Sequence, residues 1–97
     1  LRAMGGGAKS PLWLQLKADI TGKEVVSLMV SECGCLGAAM LAGVGIGEYE
    51  SVDSAVSALV SEKQRFYPNP DLHKIYSENF EIYKEIYPTV KGLCYKI

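Results

Sequence analysis

The chain has 97 residues, 48% of them hydrophobic and 22% charged, with a formal net charge of −1. That length suits one small domain or a piece of a larger one, and a chain of this size buries roughly 60–70% of the surface its unfolded form exposes. The balanced charge argues against a nucleic-acid partner, since no basic cluster is denser than Lys63-Gln64-Arg65, and the most apolar run, Cys35 to Ile46, is too short for a membrane span of about 20 residues.

In chain order, Leu1 to Met4 reads as the end of a buried strand running into Gly5-Gly6-Gly7. Ser10 caps a helix and Pro11 opens it, where a missing N–H costs nothing. Leu12, Trp13, Leu16 and Ile20 form the expected buried stripe of that helix. Gln15, Lys17 and Asp19 fall on its polar side, and Gly22 stops it. Val25 to Val30 is apolar and β-branched enough for a second strand. Ser31 is placed as the cap of a helix from about Cys33 to Val44. Its ridges, Gly34-Ala38-Ala42 and Cys35-Ala39-Gly43, suit close packing on a sheet.

Ser51 caps a further helix with Val52, Ala55, Val56, Leu59 and Val60 as its buried side. Phe66 to Pro70 is an extended connector, because each residue before a proline is pushed out of the helical region. Pro70 or Asp71 starts the longest helix, ending near Tyr87 or Val90. Its stripe of Leu72, Tyr76, Phe80, Tyr83, Tyr87 and Val90 has helical spacing and is assigned to the core, and His73 to the surface. The order strand, helix, strand, helix, helix, helix is a helix-rich α/β pattern. Two strands are too few for an independent sheet. With the chain opening at Leu1 inside an apolar run, the expectation is a piece of a larger domain whose other strands lie upstream.

Cys33, Cys35 and Cys94 are odd in number and no export signal is visible, so reduced thiols and a cytoplasmic setting are expected. Cys33-Gly34-Cys35 lacks the spacing of a zinc knuckle, and the one histidine, His73, is far off in sequence.

The glycines carry the functional question. A strand that ends in glycines before a helix N-terminus is a common nucleotide or anion seat, because bare backbone admits the ligand and first-turn N–H groups point at it. The P-loop pattern GxxxxGK[ST] is rejected, since Ala3 and Ala8 occupy its glycine positions. The dinucleotide pattern GxGxxG holds at Gly5 and Gly7 and fails at Ser10. On these rules alone, a turn whose glycines serve only geometry and a partial NAD-type site both stay open.

Gly5-Gly6-Gly7-Ala8-Lys9-Ser10 with Trp13, Gln15, Ala18-Asp19 and Gly22 resembles the FGGY carbohydrate kinases, whose xylulokinase-like branch reads GGGA[KR]SxxWxQxxADxxG. Glu32 with Leu36-Gly37-Ala38-Ala39 resembles that family's E…LGAA helix, and Phe66-Tyr67-Pro68-Asn69-Pro70 with Tyr76, Tyr83 and Tyr87-Pro88 its terminal segment. The blocks keep the family's order over essentially the whole chain. The resemblance implies an actin-like, ribonuclease-H-like ATPase fold of two domains around a cleft that takes ATP and Mg2+. Residues 1–97 would then be the C-terminal portion of the second domain, without the N-terminal domain or the start of the second. It implies transfer of the γ-phosphoryl group to a hydroxyl of a ketose or polyol, xylulose-like, bound mainly by the N-terminal domain.

By the same resemblance Gly5, Gly6, Gly7 and Ser10 belong to the adenosine motif. Gly6 and Gly7 lie against the nucleotide, and Ser10 faces adenine with a hydroxyl that the helix cap also claims. The catalytic base and the metal-holding acids precede this region, so the chain alone is expected to be inactive. Asp19 and Glu32 are read as structural, Lys9 as solvated and Trp13 as core. Relatives leave a homodimer open. The competing reading is a non-enzymatic small α/β interaction module built on the Gly/Ala helix and the tyrosine helix.

Overall fold

A computed structural model describes all residues, Leu1–Ile97. Strand β1 (Arg2–Ala3) leads through a 3-10 turn (Gly6–Lys9) into helix α1 (Pro11–Thr21) and strand β2 (Val25–Leu28). Helices α2 (Cys33–Gly45) and α3 (Val52–Leu59) follow, then strand β3 (Glu62–Phe66) and helix α4 (Pro70–Cys94). The strands form one sheet in the order β1-β2-β3. β1 runs parallel to β2, with Ala3 opposite Ser27, and β3 runs antiparallel, with Phe66 opposite Val25.

Strand β3 corrects the sequence reading, which had no strand between α3 and the proline connector. Glu62-Lys63-Gln64-Arg65 shows no apolar alternation, and only Phe66 of the strand is buried. The backbone ladder to β2 makes it a strand, and charged side chains suit a strand at the edge of a sheet. Arg65 donates to Glu24 and to Glu62, each at 2.6 Å. The hydrogen bond to Glu62, then that to Glu24, holds the guanidinium above its ordinary pKa. Both ion pairs are exposed, so they fix side-chain position more than stability.

Helix α1 buries a different face from the one expected. Leu14, Ala18 and Asp19 are buried, while Leu12, Trp13 and Ile20 are exposed. Leu14 and Ala18, one turn apart, pack with Ala3, Val25 and Phe66 to form the core, and Ala8 closes it from the side. The methyl of Ala18 permits the close helix–sheet approach, and Asp19 can be buried because its charge is hydrogen-bonded. The cap assignments at either end of α1 match: Ser10 Oγ accepts from Trp13 N, and Gly22 ends the helix at φ 65°.

Two other packing expectations fail. Helix α2 packs on α3 rather than on the sheet, and of its small residues Gly43 meets a loop tyrosine: a methyl there would lie 2.8 Å from the Tyr49 ring. Its N-cap is Glu32, not Ser31, and makes no side-chain cap bond. Helix α4 buries none of its residues, so its tyrosine stripe is not core within this chain. Length gives the reason. The 25 residues of α4 span about 38 Å, and the 11 residues of α1 beneath it span only about 16 Å.

The α1–α4 junction is nevertheless specific. Asn69 caps α4 through Asp71 N and Leu72 N. His73, expected at the surface, is half-buried, with Nδ1 2.9 Å from the Asp19 carbonyl oxygen. Its ring lies where a Gly22 side chain would be: a methyl there would sit 2.6 Å from the imidazole.

Candidate functional site

The glycine segment joins the end of β1 to the start of α1, and each glycine has a separate reason to be bare. Gly5 has φ +82°, a left-handed conformation that side chains resist. Gly7 has ordinary φ, but a methyl on it would lie 3.2 Å from Trp13 Cδ1 and 3.3 Å from Nε1. Gly6 has neither constraint: a methyl on it would meet nothing within 4 Å. The turn is closed by Ala8 N donating to Gly5 O at 3.0 Å and Ser10 N donating to Gly7 O at 3.3 Å. Gly6 opens it, and the first N–H groups of a helical turn have no partner inside that turn.

Ser10 accepts from Trp13 N at 3.3 Å as the α1 cap. A serine hydroxyl that accepts still holds a proton to donate, so capping and binding do not exclude each other. Beside the turn, at the ends of β1 and β2, lies a cavity of about 330 Å3 bordered by Ala8, Lys9, Ser27, Ser31 and Lys63. No carboxylate lines it. Crevices outside the carboxyl ends of parallel strands are where open α/β sheets take ligands.

The acidic residues singled out in the sequence lie elsewhere in role. Asp19, 2% exposed, accepts from Gln15 Nε2 at 2.9 Å and from Asn69 N at 2.8 Å. Gln15 also donates to Tyr67 O at 2.8 Å. These two side chains tie the proline connector to α1, which is a structural use of a buried charge. Glu32 is exposed at the start of α2. Trp13, assigned to the core, is 53% exposed on the first turn of α1, with Lys17 Nζ 6.0 Å from its ring centroid. No group of three or more His, Cys, Asp and Glu stands close enough to hold a metal ion.

Residues 1–46 match the profile of the FGGY family of carbohydrate kinases, C-terminal domain. The chain is 38% identical over 93 residues to a xylulose kinase of Staphylococcus epidermidis, covering 96% of this chain and 19% of that one. Against a xylulose kinase of Bacillus subtilis it is 38% identical over 91 residues, covering 94% of this chain and 18% of the relative. Among solved structures, a ligand-bound xylulose kinase of Lactobacillus acidophilus superposes with a TM-score of 0.84 at 27% identity. That superposition covers 93% of this chain and 18% of the other. The chain spans about a fifth of the length of the curated relatives it matches.

Proposed function

We propose, on its similarity to the FGGY carbohydrate kinases, that the chain is the C-terminal portion of the nucleotide-side domain of an ATP-dependent sugar kinase. The reaction is transfer of the γ-phosphoryl group of ATP to a hydroxyl of a ketose or polyol, in the class of xylulose. In this reading Gly5 shapes the turn, Gly6 and Gly7 receive the adenosine portion against bare backbone, and Ser10 offers its free proton to the base. ATP supplies the phosphoryl group. Phosphoryl transfer depends on positioning and electrostatics, so a turn that fixes adenosine places the γ-phosphate without touching it. The donor set here does not suit Mg2+, and no step assigned to these residues runs through the metal. The catalytic base is likewise assigned outside residues 1–97, which leaves the chain alone inactive.

The observation that carries this reading is Gly6. Nothing in the chain's own packing or backbone geometry requires glycine there, yet a side chain would project into the open space in front of the turn. Gly6→Val in the complete kinase is the test, read by steady-state kinetics. The expected result is a KM for ATP raised at least about tenfold, which corresponds to about 1.4 kcal/mol, with the KM for the sugar unchanged. An unchanged KM for ATP in a folded enzyme would place the adenosine seat elsewhere.

A further inference from the structure

The Trp13 ring stands half exposed beside the glycine turn. We propose that Trp13 is the stacking wall of the nucleotide seat, on which the purine base of ATP or ADP lies. This inference rests on the adenosine reading of the glycine turn and adds to it the residue that would recognise the base.

Three observations converge. First, Trp13 is half exposed while its neighbour Leu14 is 2% exposed, so the helix turns its largest apolar side chain outward at the start of α1. Tryptophan brings a large area for contact at little conformational cost, and every base has a π-face to lay against it. Second, the pyrrole edge of the indole is the part nearest the turn, 3.2–3.3 Å from the position of a Gly7 methyl. Gly7 is thus bare to let the ring stand against the backbone, and the benzo ring projects away from it. Third, the local charge suits a phosphate-bearing ligand. Residues 1–18 contain Arg2, Lys9 and Lys17 and no acid, and the first carboxylate, Asp19, is buried and hydrogen-bonded. Lys17 Nζ stands 6.0 Å from the indole centroid, so a positive charge lies beside the aromatic surface.

The test uses the complete kinase with Trp13→Leu, Trp13→Phe and Gly6→Val. Calorimetry measures binding of ADP and of CDP, alongside KM for ATP and for the sugar. Base–aromatic stacking makes Trp13→Leu weaken ADP binding by about tenfold or more and narrow the preference for ADP over CDP. Trp13→Phe keeps most of both, and the sugar KM does not move. Trp13→Met supplies the same comparison if the leucine variant fails to fold. ADP binding within about twofold of wild type in Trp13→Leu, with Gly6→Val defective, would remove Trp13 from the seat and leave the glycine turn in place. Equal loss of ADP and CDP would make the ring a mere support for the turn and overturn the proposal. If Gly6→Val and Trp13→Leu both bind normally, the adenosine reading fails and the stacking wall fails with it.

Discussion

The three glycines illustrate how differently one residue type can be used within a single turn. Gly5 answers to φ, Gly7 to the Trp13 ring, and Gly6 to nothing inside the chain. Substitutions should separate them. Gly7→Ala needs the indole to give by a few tenths of an ångström, so its effect on nucleotide binding should be smaller than that of Gly6→Val and should follow Trp13. Gly22 has the strictest demand, with φ +65° and a methyl position 2.6 Å from His73. Gly22→Ala should cost at least about 1–2 kcal/mol from the left-handed backbone alone, measured by urea unfolding of the complete kinase. Asp19→Ala leaves Asn69 N without its acceptor and removes one of the two that Gln15 Nε2 has, and a loss of about 1–3 kcal/mol is expected in the same assay. A loss below about 0.3 kcal/mol would show that the connector is held by something else.

At the scale of elements, local chemistry explains the helix ends better than their faces. Ser10, Ser51 and Asn69 each accept from a first-turn backbone N–H, as residues of their type do. Ser51 and Ser54 form a reciprocal capping box, so Ser51→Ala should cost about 1 kcal/mol by the same unfolding measurement. Helix α4 continues through Pro88, whose missing N–H leaves one ladder bond unmade. Amides from Thr89 to Cys94 should therefore exchange faster than those before the proline, and Pro88→Ala should slow them. Equal protection on both sides would contradict this. The caps at Ser10 and Ser51 were legible because they depend on three or four consecutive residues, whereas α2 starts from Glu32 and not from the expected Ser31. The buried face of α1 was not, because Leu12-Trp13-Leu14-Leu16 offers two adjacent stripes and only the position of the sheet chooses Leu14 and Ala18. Strand β3 was invisible for the same reason: its partner β2, not its own pattern, makes Glu62–Phe66 extended.

At the scale of the molecule, the chain is drawn out. Its radius of gyration is 19.2 Å, where a compact chain of this length has about 12–13 Å. Ten of 97 residues are buried, and large apolar side chains such as Ile75, Phe80, Tyr83 and Ile86 on α4 are exposed. A core of Ala3, Leu14, Ala18, Val25 and Phe66 is small for a domain that must offset the conformational entropy of 97 residues. The 97-residue polypeptide on its own should therefore unfold without a sharp cooperative transition and bind a hydrophobic dye. A steep melt without dye binding would show that its few contacts suffice.

The sequence by itself determined the glycine turn, the caps at Ser10 and Ser51, the stop at Gly22 and the family resemblance, all of which reside in short consecutive runs. Tertiary structure alone decided which side of α1 is covered, that Asp19 is buried and bonded, that Glu62–Phe66 is a strand, that His73 locks onto Gly22, and that Trp13 stands exposed beside Gly7. Those features depend on residues up to 54 positions apart along the chain, as between Asp19 and His73. A local pattern states which faces a segment has. Only the neighbour that packs against it selects one.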